Sequence, residues 1–241
     1  MIKMQTRQQE ILNLVVKEYI ETAEPVGSQL LVEKYKLDIS PATVRIEMAE
    51  LSERGYLHQP HTSAGRVPTD KAYRFFVDQL PPEDLSSSEL KTLSEAIEDL
   101  NQSGSNLLRL VRDTARTISF VSNSVGICGS LDEDDFFSAG LPNLLREPEF
   151  ARDSDFFKSL EIFDCLDKEI KNIFNEIEND VQVFIGRESR DKKFDDFSLV
   201  VSRCENKRMK RGVVGVLGPK RMDYKKNIQV VRCTKKAIKE L

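Results

Sequence analysis

The 241-residue sequence predicts an α+β chain in two parts. Three short helices closed by a β-ribbon come first, and a mixed helix-and-strand domain with a mostly antiparallel sheet follows. Three observations carry that reading. Apolar residues recur at helical spacing up to residue 54. A Pro-, Ser- and Gly-bearing stretch then lies between Leu57 and Val67, a pattern suited to two short strands joined by an exposed loop. Beyond residue 180, the segments VQVFIG, FSLVVSR and RGVVGVL are rich in Val and Phe and separated by charged turns, as strands are.

In TRQQEILNLVVKEYIETAEP, the residues Ile11, Leu12, Val15 and Tyr19 share one helical face, and Pro25 stops continuation. Ser28 is placed to cap a second helix through Tyr35, with Leu31 and Tyr35 one turn apart, and LDIS makes a turn. The third helix has the clearest signals: Ser40 at the N-cap, Pro41 at the first helical position, and Gly55 as the stop. Tyr56, Leu57 and Val67 frame the ribbon, and Thr69 is placed to cap a fourth helix, DKAYRFFVDQL. Helices with a tight turn followed by a ribbon define a winged helix-turn-helix over residues 1–80, the ribbon 56–68 being the wing.

PPEDLSSSEL then marks a boundary, with Ser86 and Glu89 spaced as a capping box. A polar linker helix over 85–100 and a flexible NQSGS break fill residues 81–105. From 106 to 241 the order is mixed. A helix places Leu108, Val111, Ala115 and Ile118 on one face, SVGIC follows as a strand, and two amphipathic helices lie between Ala151 and Ile177. The three strands come next. A last helix has Tyr224, Ile228, Val231, Ile238 and Leu241 as its core stripe.

Composition narrows the chemistry. Charged residues are 32% and hydrophobic ones 39%, enough apolar material for packed cores under a solvated surface. No apolar run reaches the roughly 20 residues of a membrane span, and MIKMQTRQQE lacks the apolar centre of a secretory signal, so a cytoplasmic protein is expected. Cys128, Cys165, Cys204 and Cys233 are widely spaced and far from both histidines, which points to buried structural thiols and away from metal binding. Neither a nucleophile elbow nor a phosphate loop occurs, so neither catalysis nor a cofactor is expected. Gly212, Gly215 and Gly218 read as sheet packing, and the basic run from Arg203 to Arg211 as a solvated turn. Net charge is −4, and residues 1–80 hold ten Lys or Arg against eleven Asp or Glu. Any nucleic-acid contact must therefore be local.

On the third helix, Val44, Met48 and Leu51 make the buried face, while Ala42, Thr43, Ile46, Glu50 and Glu53 lie opposite with Arg45 on a flank. In a winged helix that outward side enters the major groove. Arg45 suits a phosphate or a guanine edge, Ser40 and Thr43 a phosphate or base, and Ile46 a thymine methyl. On the wing, Arg66 suits a minor groove or a phosphate, His61, Thr62 and Ser63 the backbone, and Gly65 permits a tight approach. Ser28 and Lys71 complete the candidate DNA-contacting set. The histidines serve equally well as hydrogen-bonding groups inside the wing.

The chain also resembles the HrcA heat-inducible transcription repressors. The resemblance lies in EYIETAEPVGSQLL (18–31), LDISPATVRIEMAELSERGYL (37–57), QPHTSAGRVPTDKAYRFFVD (59–78), AGLPNLLREPEF (139–150) and GVVGVLGPKRMDYKKNI (212–228). It implies a dimeric winged-helix repressor of chaperone genes that binds a CIRCE-type inverted repeat of double-stranded DNA. It further implies control by the chaperonin GroEL and a second, GAF-like domain for dimerisation and regulation. Two departures stand out. Ile46 replaces the asparagine usual in the family, and only GSLDEDDF remains where members carry further strands and an inserted dimerising segment. This is then a shortened member with a reduced GAF-like domain. Two other readings compete with the DNA-binding one: a winged-helix adaptor that binds protein, and a GAF-like sensor of small molecules.

Overall fold

The computed structural model describes residues 4–81, 95, 106–150, 153–177 and 180–240. The chain divides into two compact units, Met1–Pro81 and Pro82–Leu241. Of the expected linker helix over 85–100 only Glu95 is described, as helical and exposed, and the capping box and the NQSGS break lie outside the described residues.

The N-terminal unit runs α1 (Thr6–Thr22), α2 (Ser28–Tyr35), α3 (Pro41–Glu53), β1 (Leu57–His58), β2 (Val67–Pro68) and α4 (Asp70–Val77). This is the order expected of a winged helix. Ile11, Leu12 and Val15 of α1, Leu31 of α2 and Val44, Met48 and Leu51 of α3 are buried together with Leu57, Ala72 and Tyr73. Burying such side chains contributes roughly 1.5–3 kcal/mol each and is what sets the helices against one another. Tyr19 is half-buried.

A polar cluster adds direction to the α1 to α2 contact. Glu18, only 2% exposed, accepts from Lys34 Nζ at 2.7 Å and from Tyr35 Oη at 2.9 Å. Burial alone would push the Glu18 carboxyl up, but these two hydrogen bonds outweigh it and hold it below the usual value. The same cluster, with burial first, pushes the Tyr35 phenol up to about 12.

The C-terminal unit is built on one five-stranded sheet in the order β4-β3-β7-β6-β5, with every neighbouring pair antiparallel. In chain order its elements are α5 (Leu107–Ser122), β3 (Val125–Ser130), β4 (Asp135–Ala139), α6 (Leu141–Leu145), α7 (Asp153–Ile173), β5 (Gln182–Ile185), β6 (Phe197–Cys204), β7 (Gly212–Pro219) and α8 (Tyr224–Lys239). Helices α5 and α8 pack on one face, while Ile162, Leu166, Ile170 and Ile173 of α7 join Ile127, Leu199, Val201 and Val213 in a core. α5 lies so close that a Cβ on Gly126 would stand 2.1 Å from the Ala115 carbonyl oxygen. Gly212 and Gly215 leave no more room: a Cβ would meet Met209 at 2.5 Å and Val201 at 2.7 Å. Gly212 and Gly215 thus serve close packing of the sheet, whereas a Cβ on Gly218 would come no closer than 3.2 Å, to the end of the Met222 side chain.

Four expectations need correction. Residues 153–173 form one helix ending in a 3₁₀ turn, Phe174–Glu176, in place of two helices. Leu108 is 58% exposed, because the buried face of α5 runs through Leu110, Val111, Thr114, Ala115 and Ile118. On α8, Ile228 is half-buried and the buried face includes the polar Asn227 and Thr234. Of the cysteines, Cys128 and Cys204 are buried but Cys165 and Cys233 are only partly so. Burial pushes the Cys128 thiol up to about 12, so it stays protonated and chemically quiet.

Where the resemblance places an inserted segment, a four-residue turn, 131–134, joins β3 directly to β4. None of the described helices is long and apolar enough to cross a membrane.

Candidate nucleic-acid interface

α3 begins where the sequence says it should. The Ser40 hydroxyl accepts from the Thr43 N–H at 3.1 Å and lies 2.9 Å from the Thr43 hydroxyl, with Pro41 in the first turn. It ends at Gly55, whose φ of +74° suits a residue without a Cβ.

The two acids on the middle of α3 face α1. Glu50 accepts from Gln8 Nε2 at 2.7 Å, and Glu47, nearly buried, lies 3.6 Å from Arg7. Gln8 in turn accepts from Arg54 at 2.8 Å. Glu50 is nonetheless exposed, so it keeps the outward placement that helical periodicity assigned it, with its carboxylate reaching back to Gln8. The outward face holds Ala42, Arg45, Glu50 and Glu53, all exposed, Thr43, half-buried, and Ile46, 63% exposed. Among the described residues Arg45 pairs with no carboxylate. Its charge is therefore not cancelled by a direct ion pair, although the exposed Glu50 and Glu53 lie further along the same helix.

The ribbon is fixed by a contact absent from any local pattern. Val26 and Arg66 exchange backbone hydrogen bonds at 2.9 and 2.8 Å, forming an antiparallel bridge between the loop before α2 and the start of β2. Gly65 is required there, since a Cβ would meet the Val26 carbonyl carbon and oxygen at 2.4 Å. The tight approach that Gly65 permits is that of its own chain. Gln59, overlooked in the sequence, donates to the carbonyls of Thr62 and Ala64 at 3.0 and 2.8 Å and shapes the loop. A long amide side chain ahead of a Pro-Ser-Gly loop was the available signal. His61 Nδ1 lies 3.1 Å from the Ser63 hydroxyl, the internal hydrogen bond that was the alternative for this histidine.

Six of the candidate residues, Ser28, Arg45, Thr62, Ser63, Gly65 and Arg66, line one cleft of about 380 Å³ between α3, the ribbon and the start of α2. Ser28 is buried at the first position of α2 and does not cap it. Gly27 holds the cap position and offers no side-chain acceptor. The Nε of Arg66 is buried with no hydrogen-bond partner among the described residues. Ser40, Ala42, Thr43, Ile46 and His61 lie outside this cleft, on α3 and on the exposed ribbon loop. Lys71, exposed on α4, donates to the Arg54 carbonyl at 2.8 Å, with its ammonium 4.2 Å from the centre of the Tyr56 ring. The Thr69 hydroxyl likewise leaves α4 uncapped and donates to the carbonyls of Gly55 and Tyr56 at 2.8 and 3.0 Å. Both side chains tie the end of α3 to the ribbon and α4.

An outward helix beside a ribbon, ahead of a separate sheet-based unit, is the build of the helix-turn-helix class of regulators. The pattern of the HrcA protein C terminal domain matches residues 42–228, and the chain belongs to the HrcA family. A relative from Carboxydothermus hydrogenoformans, named heat-inducible transcription repressor HrcA, is 28% identical over 332 positions, covering 98% of this chain and 97% of the relative. With 241 residues here, at least 91 of those positions face a gap in this chain, in keeping with a shortened member. A relative of the same name from Pelotomaculum thermopropionicum is 56% identical over 79 residues, 33% of this chain and 23% of its own length. A solved structure described as a hypothetical protein shares the fold, with a TM-score of 0.78 at 20% identity over 99% of this chain and 98% of that one.

Proposed function

We propose that the chain is a transcriptional repressor of heat-shock genes that binds an inverted-repeat, CIRCE-type operator as a homodimer in the cytoplasm. The observation that carries this reading is the cleft lined by both Arg45 and Arg66 and by no carboxylate. α3 would lie in the major groove, with Arg45 on a phosphate or guanine and Ile46 against a thymine methyl. The ribbon would lie along the backbone, with Arg66, Thr62 and Ser63 donating to phosphates. The uncapped N–H groups of α2 would take a further phosphate oxygen from the cleft.

Residues 1–80 would then read DNA, 81–105 connect, and 106–241, a reduced GAF-like domain, dimerise and regulate. Two half-sites engaged by two copies match the symmetry of an inverted repeat. The chaperonin GroEL as activating partner follows from the family resemblance. The reading requires no catalysis.

Arg45→Ala and Arg66→Ala should each weaken an electrophoretic shift with an inverted-repeat duplex by about 1–3 kcal/mol, roughly fivefold to 150-fold, with the fold intact. Unchanged shifts in both would refute these contacts. The exposure of Ile46 favours one rival, a protein-binding adaptor. That contact would be apolar and insensitive to salt, whereas phosphate contacts weaken steeply as salt rises.

A further inference from the structure

At one end of the C-terminal sheet lies a second cationic cleft, larger than the first, at about 580 Å³. Arg203, Lys210, Arg211, Lys235 and Lys239 line it with a single carboxylate, that of Glu205. Five cations against one acid is an unusual local density in a chain whose net charge is −4. Like charges held together repel, so such a grouping costs stability unless an anion joins it.

The groups come from three elements and are held in place. Arg203, at the end of β6, donates from Nε and Nη2 to the Phe174 carbonyl at 3.0 and 2.6 Å, and its guanidinium lies 4.7 Å from the Phe174 ring centre. The Arg211 guanidinium is 5.3 Å from the same ring, and its backbone N–H donates to Asp132 at 2.8 Å. Lys210 follows Met209, which is buried and closes the β6–β7 turn by accepting from the Asn206 N–H at 2.9 Å. Asn206 also donates to the Ile238 carbonyl at 3.3 Å, fastening the turn to α8, on which Lys235 and Lys239 stand one turn apart.

Two plainer readings fall short. Lysines near the C-terminal end of a helix complement its dipole, which accounts for Lys235 and Lys239 but not for the three cations brought from β6 and its turn. A solvated turn accounts for Lys207 and Arg208, which do not line the cleft. The chemistry offered is N–H donors and positive charge, with the Phe174 ring already engaged by two guanidinium groups. That suits an acceptor-rich ligand of several charges more than one with a ring to stack.

We infer that this cleft binds a small, multiply charged phosphate anion. The site stands apart from the DNA reading and needs no operator to be tested. In calorimetric titration of the full chain with inorganic tripolyphosphate at constant ionic strength, one anion should bind per chain. Lys210→Gln with Lys239→Gln should weaken it about tenfold or more, while Lys210→Arg with Lys239→Arg retains it. Removing two charges elsewhere on α8, with Lys225→Gln and Lys226→Gln, should change it by less than about twofold. The Arg45→Ala and Arg66→Ala variants should bind the anion as the wild type does, which separates failure here from failure of the DNA reading. Three results would each overturn the inference: no saturable binding, equal weakening in the two double-Gln variants, or displacement of the anion by a duplex in the Arg45→Ala variant.

Discussion

α3 and the ribbon contribute to the same cleft, yet they hold their polar groups in opposite ways. On α3, Ser40 is used up in starting the helix, and Glu47 and Glu50 are turned to α1, so that Ala42, Arg45 and Ile46 are left with no part in the fold. On the ribbon the polar groups build the loop. Gln59 ties Thr62 and Ala64, His61 meets Ser63, and Gly65 and Arg66 join Val26. The difference teaches how each should respond to mutation: changes on the outer face of α3 and at the Arg66 side chain act on binding, and changes to the groups that build the ribbon loop, Gly65 above all, act first on structure.

The largest expected effect is in the ribbon. Gly65→Ala drives a Cβ into the Val26 backbone and should destabilise the N-terminal unit by about 1–3 kcal/mol in urea unfolding, with DNA affinity falling as the ribbon moves. A stable variant would show that the Val26–Arg66 bridge does not fix the ribbon. Next comes Glu18, which tests whether the α1 to α2 contact supports α3 from beneath. Its folded pKa is depressed, so its stabilisation is present above the ordinary carboxyl value of 4.5 and is lost as pH falls through the lower folded value. Glu18→Gln should cost about 1–2 kcal/mol at neutral pH, and the gap to wild type should close in acid unfolding curves.

Ser40→Ala should cost about 1 kcal/mol by removing the α3 cap, measured by thermal unfolding. Lys71→Ala removes a helix-end hydrogen bond and a contact with Tyr56, so it should lower stability by about 0.5–1.5 kcal/mol. It should do so without flattening the salt dependence of DNA binding. The smallest effect falls on α3: Ile46→Ala should leave stability within about 0.5 kcal/mol while altering which operator bases are preferred, read by competition shifts.

The sequence displayed what local chemistry determines. Ser40, Pro41 and Gly55 bound α3 because capping and left-handed backbone act over a few residues, and Val-rich runs disclosed β5, β6 and β7. What stayed hidden depended on distant partners. Glu50 meets Gln8 forty-two positions away, and the requirement for Gly65 comes from Pro25 and Val26. Strand β4 escaped notice because it lies at the sheet edge, where DFFSA is half-buried throughout and shows no alternation. Ser28 looked like a cap by residue type, but the backbone turns at Gly27. Within the candidate interface, the sequence supplied most of the residues, and only the fold separated Lys71, which braces α3, from Arg66, which lines the cleft.

The most direct test is the slope of log affinity against log salt for an inverted-repeat duplex. Phosphate contacts from the ribbon predict a steep fall for the wild type, a slope shallower by about one for Arg66→Ala, and no change in slope for Lys71→Ala. Affinity that ignores salt, or a slope that Arg66→Ala leaves untouched, would contradict the placement of the ribbon on the DNA backbone.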